Sequence, residues 1–391
     1  MSRPLRVLQV LGGLGVGGAE TWLMAVLRRW ARDATGQMDF LLTGGEKDVF
    51  DREAAELGAR LHYLRYGRAH LATFVRGYRR LLAQGRYDAI HDHADYAGGW
   101  RFALGAGVLP PVRVAHVHNP WLHIQANYST GPSRRLAAAG GKALVGALAT
   151  HVCGTSAEIL MQYGFRPERI RRPKVEVVHC GFEVDQFNAP READRASVLA
   201  EFGWPAETKL VLFVGRLDRA LAFVHPQNHK NSWLALNIAR EATAHDPAVR
   251  LIMAGMGPSH EALMQRVREW GLTDRLRLPG IRHDVPVLMR AADTLLFPSA
   301  QEGLGMVAVE AQAAGLPVLA SQTVPREAIV VPGLYETLPL DSPLEIWVER
   351  LFSVMDRTRP SLAACHAAIE ASDFSIANSA RKLEAIYRSG A

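Results

Sequence analysis

Short apolar runs alternate with longer amphipathic stretches along the whole chain, the pattern of a parallel α/β architecture. In the first half, residues 6–11 read as a buried strand, followed by a glycine turn over 12–18 and a helix over about 19–29. Further strands are predicted at 39–43, 87–91, 113–118 and 151–154. The alternation restarts at 210–214, closed by Gly215, and continues at 250–254, 276–278, 294–297 and 317–320. Residues 188–208 mix Pro, Ala and charge without a strand pattern, which sets a boundary between units 1–187 and 188–373. The spacing of Ile376, Ala380, Leu383 and Ile386 predicts a helix over 373–387. The expected fold is two doubly wound, Rossmann-like lobes with ligands held in a cleft at the carboxyl ends of the strands.

Composition narrows the class without choosing the partner. At 391 residues the chain exceeds one ordinary hydrophobic core, and 48% hydrophobic with 21% charged residues excludes a disordered chain. The net charge of +6 suits an anionic small molecule, a membrane surface or a nucleic acid. Cys153, Cys180 and Cys365 form no CxxC pair, which argues against a disulfide framework or structural zinc and fits a reducing compartment. Arg3, Pro4 and Arg6 lead straight into the first strand, with no signal peptide. The most apolar stretch, 136–150, is interrupted by Lys142 and falls short of the roughly 20 residues of a membrane span. A cytoplasmic protein is expected.

The sharpest chemistry lies in Phe297-Pro-Ser-Ala-Gln-Glu-Gly-Leu-Gly-Met-Val-Ala-Val-Glu-Ala-Gln312. A strand ends in a loop, Gly303 and Gly305 come next, and an apolar helix begins. Free amides at a helix start, backed by its dipole, hold a phosphate, and glycine lets the ligand approach the main chain. Glu302 stands in the loop and Glu310 eight residues on, within the helix. One carboxylate can meet a sugar hydroxyl while the other accepts both hydroxyls of a ribose. A bare E-x7-E spacing is common by chance; the strand, loop, glycines and helix around it make it specific.

This segment resembles the EX7E signature of retaining glycosyltransferase family 4, which has the GT-B fold, and looks closest to its capsular and exopolysaccharide members. Leu278-Pro-Gly-Ile-Arg-His-Asp-Val-Pro286, Ala291-Ala-Asp293 and Gly315-Leu-Pro317 are similar to flanking family landmarks, so the likeness covers nearly the whole chain. It implies a donor site formed by Gly303, Leu304, Gly305, Met306, Val307 and Glu310, joined by the GxGP-like turn at Gly255 and Gly257. Arg216, in Val214-Gly-Arg-Leu217, and Lys230, in His229-Lys-Asn231, resemble the family's basic pair, with a longer loop between them than usual. A leaving diphosphate needs such cations where no metal neutralises it. The resemblance also implies a C-terminal helix that returns to the first lobe.

The N-terminal turn Gly12-Gly-Leu-Gly-Val-Gly-Gly-Ala-Glu-Thr21 contains a formal GxGxxG at Gly13, Gly15 and Gly18. A dinucleotide site would also want an acid ending the second strand, and Leu41-Leu-Thr43-Gly-Gly offers none. The resemblance implies instead that Gly17 and Gly18 approach the donor diphosphate from the first lobe. Histidines gather in His91-Asp-His-Ala-Asp95 and His116-Val-His-Asn-Pro120. On a strand, i and i+2 face one side, so each pair could ligate a metal. His91, His93 and Asp95 resemble the HxHxDH box of metallo-β-lactamase-type hydrolases, with Tyr96 where the last histidine should stand. The family likeness gives His118 another role, beside the transferred sugar, with His93 on the acceptor side. Val177-Val-His-Cys-Gly-Phe-Glu-Val-Asp-Gln-Phe187 resembles an interlobe NGxD segment in which Cys180 replaces Asn and Glu183 replaces Asp.

As a reaction, the resemblance implies a retaining hexosyl transfer from a nucleotide-sugar, UDP preferred, to a hydroxyl of a glycan or lipid-linked acceptor, without metal or cofactor. Arg76, Arg79 and Arg80, Arg134, Arg135 and Lys142, and Arg166, Arg169, Arg171, Arg172 and Lys174 make the first lobe basic. A charge run is usually a solvated face; here it also suits peripheral contact with anionic lipid. Few aromatics interleave with it, so nucleic-acid binding is not expected. The competing readings are a UDP-sugar 2-epimerase of the same fold and a metal-dependent hydrolase using His91, His93 and Asp95.

Overall fold

Two sheets carry the chain, each built around central strands that are buried on both faces because crossover helices cover both sides. A computed structural model describes residues 3–127, 131–166, 173–218 and 229–390. Its contacts divide the chain into one unit of 1–183 with 373–391 and a second of 184–372.

In the first unit β1 (Leu5–Leu11), β2 (Gly36–Leu42), β3 (Leu61–Tyr63), β4 (Ala89–Asp92), β5 (Val112–Val117), β6 (His151–Gly154) and β7 (Lys174–Val177) form a sheet in the order β3-β2-β1-β4-β5-β6-β7. Every neighbouring pair is parallel. In the second, β8 (Lys209–Val214), β9 (Val249–Ala254), β10 (Leu276–Gly280), β11 (Thr294–Phe297), β12 (Val318–Ser321) and β13 (Tyr335–Leu338) are ordered β10-β9-β8-β11-β12-β13, again all parallel. The winding reverses between β1 and β4 in one sheet and between β8 and β11 in the other. A crevice opens beyond the carboxyl ends of the strands at such a switch point. Those ends carry the residues singled out in the sequence.

The Gly18–Asp33 helix packs Trp22 and Trp30 onto the first sheet and ends at Ala34, which takes a left-handed φ of 50°. The helix Ile376–Arg388 is capped by the Ser375 hydroxyl, which accepts from the Asn378 amide. It returns to the first unit. Tyr387 meets Trp30 edge-on and accepts from the Gln9 amide on β1, and Trp22 Nε1 donates to Ser379. Burying each of these three rings removes roughly 150–250 Å² from water, worth on the order of 4 kcal/mol apiece. The return is pinned by backbone bonds from Phe182 to Phe374 and from Ile376 to Phe182. Gly181 is needed there, since a Cβ would stand 2.6 Å from the Ser379 Cβ.

The boundary expected at 187/188 falls four residues earlier. Val184–Phe187 forms a 3-10 turn held in the second unit, where Arg290 donates to the Gln186 carbonyl. The 188–208 segment, which shows no strand pattern, contains the helix Arg191–Phe202, whose Arg191 and Arg195 bind Asp293. Only Val198 and Leu199 of that helix are buried, which is why no apolar stripe announced it. No helix among the described residues is long and apolar enough to cross a membrane.

Candidate functional site

The second switch point assembles the donor candidates. β11 delivers the chain to Ser299, whose carbonyl accepts from the Ser321 and Thr323 hydroxyls at the end of β12. The loop then crosses to the neighbouring strand's extension, Ala300 donating to the His229 carbonyl at 2.6 Å. Gly305 turns the chain into the Met306–Ala313 helix with φ 91°, and a Cβ there would press Val324 and Phe297 at 3.0 and 3.1 Å. This left-handed turn is one glycine accepts without strain. Leu304 is buried beneath it, and Met306 and Val307 are half-buried at the helix start, where amides lack intrahelical acceptors.

Glu302 and Lys230 form a forked ion pair, Nζ to Oε1 at 2.7 Å and to Oε2 at 2.9 Å. The two side chains are 7% and 23% exposed, so neither charge is freely solvated. Lys230 also lies over the Phe297 ring, 5.2 Å from its centroid. Arg216 sits beside Asp218 at 3.4 Å with a largely exposed side chain. Both cations therefore stand next to an acid. Glu310 differs. Its side chain, half-buried on the helix, makes no hydrogen bond with any described residue. Burial pushes its carboxyl up to about 7, against a smaller downward pull from Lys230.

The glycine turn after β9 packs on this loop. Gly255 has φ 147° and its Cβ would stand 1.9 Å from the Gly215 carbonyl; at Gly257 a Cβ would meet the Leu217 carbonyl at 2.1 Å. These glycines hold two backbones together, whatever else they touch. Asp218, which sequence reasoning passed over, accepts from the amides of His229 and Lys230 at 3.1 and 3.2 Å, and burial raises its pKa. It closes the loop whose residues 219–228 lie outside the described part, and so holds Lys230 in place. Its signal was faint: an acid two residues beyond Arg216. Tyr335 was also missed; its buried hydroxyl has no partner among the described residues and feels the Glu302 charge.

At the first switch point the glycine turn and the histidines meet a different environment. Gly17 caps the Gly18–Asp33 helix in extended conformation, and a Cβ would touch only the flexible end of Glu20; at Gly18 there is open space. A Cβ on Gly13 or Gly15 would meet the Asp48 carboxylate at 2.8 or 3.0 Å, so an acid flanks the formal GxGxxG and disfavours a dinucleotide pyrophosphate there. His93 and His118 are joined, Nδ1 to Nε2, at 3.0 Å, and His91 Nε2 meets His116 Nδ1 at 3.1 Å. Burial lowers the pKa of all four, that of His118 to about 4.

Asp95 does not join them. In a left-handed turn of φ 51°, it accepts from the amides of His118 and Asn119 and from the Asn119 side chain, tying the end of β4 to that of β5. The hydrolase box thereby loses its carboxylate. His91, His93 and His116 do bring one nitrogen each within 4.8 Å of one another. Cys180 is buried, its thiol pushed up to about 12 by burial, and it is a packing residue. Of the basic clusters, Arg79 donates to the Leu104 and Ala106 carbonyls and so finishes a helix, while Arg169, Arg171 and Arg172 lie outside the described residues.

Residues 16–186 match Glycosyltransferase Family 4 and residues 208–340 match Glycosyl transferases group 1. EpsF of Bacillus subtilis (strain 168), a glycosyltransferase named only provisionally, is 30% identical over 358 residues, 91% of this chain and 89% of its own. The D-inositol 3-phosphate glycosyltransferase of Mycolicibacterium smegmatis is 31% identical over 330 residues, 81% and 71% of the two chains. Among solved structures, Anabaena Alr3699/HepE in complex with UDP and glucose superposes with a TM-score of 0.73 at 19% identity, over 98% of this chain and 100% of that one. Sucrose-phosphate synthase of Thermosynechococcus elongatus superposes with a TM-score of 0.74 at 20% identity, over 98% of each. Two parallel Rossmann-like sheets, the Glu302–Glu310 segment and these likenesses agree: the chain is a glycosyltransferase of family 4, with the GT-B fold.

Proposed function

We propose that the protein transfers a hexose from a UDP-sugar to a hydroxyl of a glycan or lipid-linked acceptor, with retention at the anomeric carbon. Glu310 carries this reading. A half-buried carboxylate with no hydrogen-bond partner in its own unit, midway along the Met306–Ala313 helix, is unsatisfied until two ribose hydroxyls donate to it. Lys230 and Arg216 face the diphosphate in this reading, aided by the amides at Gly303–Val307, so phosphate charge is met without a metal. The bond from C1 to the phosphate oxygen breaks as the acceptor oxygen bonds C1 on the same face, and the acceptor proton passes to the departing phosphate. Glu302 and His118 position the sugar. Gly17 and Gly18 approach the diphosphate, and His93 supports the acceptor side. HepE, bound to UDP and to UDP-glucose, lends support to uridine as the nucleoside of the donor.

A thermal-shift panel with UDP-, GDP- and ADP-sugars tests the assignment. One nucleotide class, expected to be UDP, raises the wild-type Tm, and the rise disappears in Glu310→Ala; at a hundredfold excess over Kd it corresponds to about 2.7 kcal/mol. Indifference of the wild type to all three classes would sink it.

Peripheral membrane contact through the first unit belongs to the same proposal. Leu122 and Leu136 are 59% and 75% exposed, and Arg134 and Arg135, which precede Leu136, are exposed as well. Each well-placed cation contributes about 1 kcal/mol toward anionic lipid. Sedimentation with phosphatidylglycerol vesicles is expected at low salt and lost at high salt; equal recovery in the supernatant at both removes the idea.

A further inference from the structure

The ends of β4 and β5 hold more histidine than one sugar contact requires. His91, His93, His116 and His118 lie ring against ring under the edge of Trp22, with centroid separations of 4.0 Å for the first pair and 4.2 Å for the last. We infer that Gln9 and Tyr387 fix the tautomer of the whole array, so that His118 meets its ligand through a bare Nδ1, as a hydrogen-bond acceptor for a hydroxyl.

The chain of bonds starts at Gln9, which is fully buried. Its amide nitrogen donates to the Tyr387 hydroxyl at 3.1 Å, and its oxygen faces His93 Nε2 at 2.9 Å. An amide oxygen only accepts, so His93 carries its proton on Nε2 and has a lone pair on Nδ1. A neutral imidazole has one proton. His118 Nε2, 3.0 Å from that lone pair, must supply the proton, which leaves its Nδ1 unprotonated. The second branch runs from Tyr387, whose hydroxyl proton goes to His91 Nδ1 at 2.5 Å. His91 then donates from Nε2 to His116 Nδ1, so His116 carries its proton on Nε2.

Turning the Gln9 amide over would reverse every bond in both branches, and the far end decides between the two. His116 Nε2 is buried without a regular hydrogen bond, and the Val178 backbone beside it acts on the ring as an acceptor. A proton there is partly satisfied, while a lone pair would face an acceptor. Burial keeps the rings uncharged, which the one-proton count requires. His118 Nδ1 makes no hydrogen bond among the described residues. A lone pair at that position accepts from a hydroxyl and is repelled by a phosphate or carboxylate oxygen. His118 therefore selects a sugar hydroxyl over the diphosphate, and Gln9 and His93 are positioning residues. Naming the hydroxyl rests on the donor reading above; the tautomer does not.

Long-range proton–nitrogen correlation NMR on protein labelled with ¹⁵N-histidine reads the array without any donor. His118 and His93 are expected as Nε2–H tautomers with bare Nδ1. Gln9→Leu should release both to a tautomer mixture, and Tyr387→Phe should do the same, because it removes the hydroxyl through which His116 and His91 set the Gln9 amide. The wild-type spectrum alone decides if either variant fails to fold. A His118 protonated on Nδ1 overturns the inference. So does stoichiometric zinc found on the purified protein and lost in His116→Gln, because a metal on His91, His93 and His116 would take the lone pairs. A correct tautomer with a silent nucleotide panel would instead fault the donor reading.

Discussion

Lys230→Met is expected to lower kcat/KM for the donor by about 10²- to 10³-fold, the usual cost of losing one preorganised group facing developing charge. The free protein makes the reason specific. Lys230 is held in a fork by Glu302, whose side chain is only 7% exposed, and Arg216 lies beside Asp218. Without donor the second switch point carries paired charges, so a diphosphate must draw Lys230 partly away from Glu302. Removing the lysine also strands a poorly solvated carboxylate, which typically costs about 3 kcal/mol when the pair is deeply buried and less here, where one partner is a quarter exposed. The Tm of Lys230→Met should therefore fall, and Lys230→Met with Glu302→Gln should recover most of it while remaining inactive. Steady-state rates and melts on the wild type and the two variants check this; wild-type kcat/KM in Lys230→Met would remove the lysine from the reaction.

Glu310→Gln is expected to weaken donor binding by about 100-fold and yet to melt higher than wild type at pH 8. Hydrogen bonds to a charged group contribute about 1.5–3 kcal/mol each, and the variant loses the charge from two of them. The stability gain comes from the sign of the pKa shift. In the folded protein the carboxyl is pushed up to about 7 from an ordinary 4.5, chiefly by burial. Between those values the unfolded chain ionises and the folded one keeps its proton, so stability declines as pH rises from about 4.5 through 7. An amide does not titrate, so the variant escapes the decline and matches wild type near pH 4. Wild-type donor affinity should run the other way, strengthening as pH rises through 7, because the ionised carboxylate accepts both ribose hydroxyls. Calorimetric Kd values and melts from pH 4 to 8 provide the check. A flat affinity profile in the wild type would separate Glu310 from the ribose.

The parts of this fold legible in the sequence were those where local pattern and tertiary role coincide. β6 and β11 are short, wholly buried runs, and their predicted ends match the structure. β3, β7 and β13 were not foreseen. Each has three or four residues at or near a sheet edge and is mostly half-exposed, so its strand character comes from a neighbour rather than from its own alternation. The Glu302–Glu310 segment was legible because strand, glycines and helix are contiguous. Asp218 and the bond from Gln9 to Tyr387 were not. The first is an ordinary acid until the loop closes over it, and the second joins residues 378 positions apart. The histidines drew attention as metal ligands; the structure shows them first as partners of one another.

The return of the Ile376–Arg388 helix to the first sheet sets a timetable for synthesis. A ribosome makes the first 183 residues and then the whole second unit before the segment that covers Trp22 and Trp30 emerges. Domains usually fold in order as they leave the exit tunnel. Here the earlier one waits, with two indoles and the Gln9 amide uncovered, until the later one is finished. Nascent chains stalled before residue 373 should consequently recruit chaperones through the half that was translated first.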